Sequence, residues 1–245
     1  MTSETYFESI EQVASELATA HYIADRALAT VIFLAHRLQK PIFLEGEPGV
    51  GKTELGVVMA RLFNTELIRL QCYEGLDAST ALYEWNYPKQ LLHIRLEEKE
   101  KRGVDEIERA IYSEKFLIKR PLLRAILSSE EKAPVLLIDE IDRSDEEFEA
   151  FLLEVLADFQ ITIPEIGTMQ ARQKPMVVVT SNRTRDVHDA LKRRCLYHWI
   201  EYPSFEKESR ILRTRLPGIE ENLAGQVARF MRQIRKVDFL KKPGV

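Results

Sequence analysis

A chain of 245 residues with a formal charge of −4 and 30% charged residues gives no bulk electrostatic reason to expect nucleic acid or an anionic membrane as partner. Its two cysteines, Cys72 and Cys195, lie outside any C-x-x-C pair, which excludes a disulfide framework. No segment approaches the roughly 18 uninterrupted apolar residues of a membrane span, and residues 1–5 show no basic stretch leading into an apolar run, so a cytoplasmic protein is expected.

Residues 7–38 carry helical periodicity, with Val13, Leu17, Ala20, Ile23, Ala24, Ala27, Leu28, Val31, Ile32, Leu34 and Ala35 recurring every three or four positions. Residues 41–45 then predict a short buried strand running into a glycine loop. A helix follows, with Leu55, Val58, Met59, Leu62 and Phe63 on its apolar side and Asn64 near its end. Residues 65–72 predict a second strand. The continuous apolar runs 135–138 and 176–179 read as strands buried on both faces, and 196–200 supplies a fifth. Helical stretches between the strands favour a parallel sheet covered on both sides. Residues 205–216 and 220–236 predict two helices, split by Pro217-Gly218, with no further strand pattern. The expected organisation is therefore an α/β core over 1–203 and a small helical unit over 204–245. Between 73 and 134 lies a long connection holding Tyr83, Trp85 and Tyr87, then the charge run 97–102, which reads as a solvated helix face.

Gly46, Gly51, Lys52 and Thr53 meet the spacing G-x-x-x-x-G-K-[ST]. Glycines let the backbone curl so that several N–H groups face phosphate oxygens, and the next helix adds its positive end. The expected nucleotide contacts are Gly46, Glu47, Pro48, Gly49, Val50, Gly51, Lys52, Thr53 and Glu54, with Lys52 on the β- and γ-phosphates and the Thr53 hydroxyl on Mg²⁺. The run 135–138 ends in Asp139-Glu140. Asp139 is placed to hold Mg²⁺ through its water shell, and Glu140 to polarise an attacking water. That acid pair argues against a simple nucleotide kinase, which needs no water-activating glutamate. The third apolar run closes on Thr180-Ser181-Asn182, where the Asn182 amide could position the water or touch the γ-phosphate. Lys192-Arg193-Arg194 precedes the fifth strand; an arginine there is a surface charge, a nucleic-acid contact, or a finger into a neighbouring ATP site. Ser144 followed by Glu147 fits a capping box.

Taken in order, GEPGVGKT, VLLIDEID, TSN and LKRRC resemble an AAA+ ATPase, a P-loop NTPase, and more narrowly the MoxR group. Residues 143–156 and 159–180 are similar to that group's stretch after the acids and its hairpin before the sensor strand. The runs 70–77 and 83–88, the latter Tyr-Glu-Trp-Asn-Tyr-Pro, resemble a subset that includes CoxD-type accessory ATPases of carbon monoxide dehydrogenase maturation. This resemblance implies an AAA+ core with a helical lid, and a homo-oligomeric ring, usually hexameric, with ATP and Mg²⁺ between subunits. It also implies Asn182 as sensor 1, Arg194 as the arginine finger with Arg193 the second choice, a von Willebrand factor A partner, and a client metalloenzyme. The chain ends at Lys242-Pro243-Gly244-Val245, about where the group's sensor 2 helix begins, so the lid is expected to be incomplete and sensor 2 is unassigned. Two other functions stay open: a nucleotide-gated binding scaffold, and a nucleic-acid motor, the latter weakened by the acidic total.

Overall fold

The computed structural model describes residues 6–97, 104–128, 132–236 and 244. Five parallel strands form one sheet: β1 (Ile42–Gly46), β2 (Leu67–Gln71), β5 (Val135–Asp139), β8 (Met176–Ser181) and β9 (Leu196–Ile200), in the order β2-β5-β8-β1-β9. Every residue of β1 and β5 is buried, as a strand covered on both faces requires. Side chains alternate between the two covers. Ile42 and Leu44 pack with Leu137 and Val178 against α1 (Ile10–Thr19), α2 (Arg26–Leu38) and α3 (Lys52–Phe63). Phe43 packs with Leu136, Ile138 and Val179 against α7 (Pro121–Ile126) and α8 (Glu146–Asp158) on the other side. Because the strands are parallel, β1, β5 and β8 all end at one rim, where ligands of open α/β sheets bind.

The first helical stretch forms two helices. Helix α1 stops at Thr19, His21 takes a left-handed conformation (φ 62°), and Asp25 opens α2 by accepting the Leu28 N–H at 2.8 Å. Apolar periodicity runs through the break because the turn itself is anchored inward: Tyr22 is buried and its hydroxyl donates to the Gly51 carbonyl. Helix α3 ends as its sequence predicts, with Asn64 in the left-handed region (φ 49°).

The connection 73–134 contains α4 (Ala78–Leu82), β3 (Tyr83–Trp85), α5 (Tyr87–Glu97), α6 (Val104–Ile111) and β4 (Leu117–Lys119) before α7. Strands β3 and β4 pair antiparallel, Trp85 opposite Leu117, and Trp85 is buried in the core. Tyr83 packs partly buried against the same core, whereas Tyr87 stands 62% exposed. Of the charge run 97–102, only Glu97 is among the described residues; it is buried and lies 3.7 Å from His93.

Helix α8 corrects the predicted cap. Asp145, not Ser144, is the N-cap and accepts the Phe148 N–H at 2.9 Å. The Ser144 hydroxyl is turned back to the Ile141 carbonyl of the preceding 3-10 turn. A hairpin of β6 (Gln160–Ile163) and β7 (Gly167–Gln170) follows, then α9 (Asp189–Arg194) between β8 and β9. Helices α10 (Phe205–Arg215) and α11 (Glu221–Lys236) are tied by the buried Glu208–Arg235 ion pair, with nitrogen–oxygen distances of 2.7 and 3.0 Å. Lys207 reaches Asp25 at 3.2 Å, so α10 also touches the α2 entry.

Candidate active site

The loop after β1 is shaped by two glycines in particular. A β-carbon at Gly46 would lie 2.2 Å from the Ile200 carbonyl of β9, so only glycine fits there. Gly51 caps α3 with φ 94°, a conformation other residues adopt at a cost. Lys52, the first residue of α3, is 5% exposed and donates to the Gly46 and Glu47 carbonyls at 2.6 and 2.7 Å. Burial lowers its pKa to about 8, against the opposing pull of Asp142, Asp139, Glu47 and Glu140.

That shift carries a prediction. An anionic phosphate beside Lys52 favours the ammonium, so binding takes up a proton wherever the free site is already neutral, above pH 8. Nucleotide affinity is expected to fall with rising pH above 8, approaching about tenfold per unit. Calorimetry at pH 9 in two buffers of different ionisation enthalpy should show the uptake; a pH-independent affinity with no uptake would refute it.

At the end of β5, Asp139 is 2% exposed. Its Oδ1 accepts from the Thr53 hydroxyl at 2.9 Å and from the Thr180 hydroxyl at 2.6 Å. Its Oδ2 is held by Arg69 of β2, at 3.1 Å from Nε and 2.5 Å from a terminal nitrogen. A hydroxyl and a carboxylate oxygen facing each other are hard donors of the kind Mg²⁺ takes, so Thr53 and Asp139 fit that ion.

Glu140 sits in a left-handed conformation (φ 57°) that throws its side chain along the same rim. The Asn182 amide donates to Oε1 at 3.1 Å. Gln71 of β2 and Arg143 donate to Oε2 at 3.1 and 3.2 Å. Asn182 is itself fixed through Asp142, whose carboxylate accepts the Asn182 and Thr184 backbone N–H groups at 3.1 and 2.9 Å. The predicted acid pair and the predicted amide thus meet, although they lie on different strands.

These groups line a cleft of about 650 Å³, within the range of small-ligand sites. Tyr22, Ile23, Leu28 and Ile200 form an apolar wall, and Lys52, Thr53, Asp139, Glu140 and Asn182 gather at the polar end. Glu54 is at the rim and pairs with Arg215 of α10 at 3.0 Å, so its carboxylate is directed to that helix. Arg193 and Arg194 are exposed at the end of α9 and do not line this cleft. Sequence reading did not single out Arg69, Gln71, Thr180 or Asp142 for this site. Asp142 had a signal of its own, a third acid two residues after Glu140; the two β2 residues had none.

A strand–glycine loop–helix unit with strand-end acids and a parallel five-stranded sheet defines a P-loop domain of the AAA type. Residues 41–195, more than half of the chain, match the AAA domain of the dynein-related subfamily, and the chain belongs to that family. A crystal structure of a candidate ATPase from Cytophaga hutchinsonii shares the fold, with a TM-score of 0.58 and 18% identity over 94% of this chain. The RuvB Holliday junction branch migration motor of Thermotoga maritima aligns over 96% of this chain with a TM-score of 0.42 and 16% identity. This chain spans 64% and 63% of the lengths of those two. No curated protein matches it.

Proposed function

We propose that this chain is a Mg²⁺-dependent ATPase of the MoxR group, working in a homo-oligomeric ring, usually hexameric in that group, with ATP between subunits. The reading is carried by the convergence on Glu140: a carboxylate held by Asn182, Gln71 and Arg143, beside Thr53 and Asp139. In this scheme the loop from Gly46 to Thr53 binds the phosphates and Lys52 carries the positive charge they need. Thr53 and Asp139 would hold Mg²⁺, which supplies charge neutralisation at the phosphates when bound. Glu140 takes a proton from the attacking water, while Asn182 keeps that carboxylate aimed. Arg194, or Arg193 beside it, stabilises developing charge in a neighbouring subunit. The helices from 204 onward act as a lid, a role consistent with the Lys207–Asp25 and Glu54–Arg215 pairs.

The task we assign to this machine is chaperone-like remodelling in the cytoplasm, during maturation of a metalloenzyme such as a molybdenum hydroxylase of the carbon monoxide dehydrogenase kind. Support comes from the Tyr83 to Pro88 run and from Tyr87, the aromatic of that cluster left in solvent. The test is phosphate release by the purified protein with Mg²⁺ and ATP, with and without a von Willebrand factor A partner and an immature dehydrogenase. Client-stimulated hydrolysis that Lys52→Ala abolishes, with a matching rise in dehydrogenase activity, is expected. Hydrolysis indifferent to the client would sink the remodelling role and leave the ATPase.

A further inference from the structure

Glu45 immediately precedes the phosphate loop, and its side chain is buried on β1 at 3% exposure. A carboxylate so far from water is strongly destabilising unless it is paired and hydrogen-bonded. Its partners come from three other elements. The Ser181 hydroxyl on β8 lies 3.3 Å from Oε1, and the Tyr197 hydroxyl on β9 donates to Oε2 at 2.8 Å. The third is the Lys192 ammonium on α9, 3.7 Å from Oε1, the one cation paired with Glu45 among the described residues. Lys192 Nζ also lies 5.9 Å from the centre of the Phe43 ring, which stacks on Tyr197 at 6.0 Å. Burial and the bond to Glu45 push the Tyr197 phenol up to about 12, so it remains a donor across the working range.

None of this serves the phosphate chemistry directly, because Glu45 does not line the cleft. The cluster ties α9 to the end of β1, beside two other anchors of that helix, the buried Leu191 and the His188 N–H held by Glu149 at 2.7 Å. That helix is only six residues long, and successive side chains on it are about 100° apart. With Lys192 drawn inward to a buried charge, the next two positions are turned out, and Arg193 and Arg194 are both exposed. Rotating α9 would strand the Glu45 carboxylate without its counter-charge.

We propose that Glu45 is a positioning residue: acting through Lys192, it sets the rotation of α9 that presents Arg193 and Arg194 to a neighbouring subunit. This rests on the trans-arginine part of the proposed function. Glu45 therefore matters in the subunit that donates the arginine, and not in the subunit that hydrolyses ATP.

Mixed assemblies separate the two. Subunits carrying Glu140→Gln keep an intact α9 but lack the base; subunits carrying Arg193→Ala with Arg194→Ala keep the base but donate nothing. Mixing them should restore phosphate release at interfaces of one polarity. Adding Glu45→Gln to the donor is expected to lower the restored rate by about 10- to 100-fold, the scale of a side chain displaced by about 1 Å. Adding it to the acceptor should change the rate by less than about twofold, a result that a general structural role would not give. Lys192→Met in the donor must reproduce the loss, and it carries the test if Glu45→Gln subunits fail to assemble. Loss in the acceptor arm, or none in the donor arm, overturns the proposal. If the two parent variants fail to complement each other with Glu45 intact, the trans-arginine reading itself falls and takes this inference with it.

Discussion

Replacing Arg194 by alanine is expected to lower ATP turnover of the assembled protein by about 10³- to 10⁵-fold, with nucleotide affinity unchanged. The size follows from what an arginine does when it enters a site where charge is developing. The choice of residue comes from the sequence resemblance, and the fold leaves Arg194 available outside its own cleft. Arg194 closes α9, is exposed, and does not line its own cleft, and no ion pair or hydrogen bond engages it among the described residues. As a cation at a helix C-terminus it contributes about 0.3–1 kcal/mol to stability, so its removal should leave the subunit folded. Phosphate release measured against protein concentration is the readout. Wild-type specific activity should climb as subunits associate, whereas the Arg194→Ala protein should stay flat. Should the flat response appear only when Arg193 is replaced, the finger is Arg193. Turnover that is independent of concentration and indifferent to both residues would remove the composite site.

The second large effect is at Glu140. Glu140→Gln is expected to slow hydrolysis by about 10²- to 10⁴-fold, the range for a lost general base, while ATP binding persists. Glutamine suits the site well. Its amide oxygen can still accept from Gln71 and Arg143, and its NH₂ group can be met by a turned Asn182 amide offering its oxygen. The variant should therefore hold ATP without consuming it, which filter binding with labelled ATP and single-turnover kinetics together would show. Unchanged turnover would take Glu140 out of its role. Replacing Asn182 by alanine instead would leave the Glu140 carboxylate less well aimed, and the rate should drop while ATP binding persists.

How far the sequence leads depends on whether a feature is local. Strands β1, β5 and β8 were readable because each is a short apolar run that the fold buries, whereas β2 and β9, at the two edges of the sheet, carry polar residues and are only partly buried. The glycine loop was readable because its spacing is a backbone requirement, met here by the close pass of Gly46 against Ile200. Asp139 and Glu140 were readable because they end such a run. What could not be read is which strand lies beside which. Arg69 and Gln71 reach the two acids only because β2 is the neighbour of β5, and no pattern in residues 65–72 announces it. Where α1 gives way to α2 was not marked for a related reason, since a turn that buries Tyr22 keeps the apolar periodicity of a helix. The cap of α8 failed on chemistry: two adjacent residues can both cap, and the preceding 3-10 turn claimed the Ser144 hydroxyl.

The sheet order has a consequence for how the protein is made. Strand β1, which leads into the phosphate loop, pairs only with β8 and β9, and β8 begins at residue 176. On the ribosome, an apolar Ile42-Phe43-Leu44 segment must therefore wait for both of its neighbours, on the order of ten seconds at ordinary synthesis rates. Strand β2 can settle against β5 sooner, since β5 is complete at residue 139. The half of the sheet that holds β1 is thus the last to close, with the β9 edge added last of all, and nascent chains stalled short of residue 200 should be prone to aggregation.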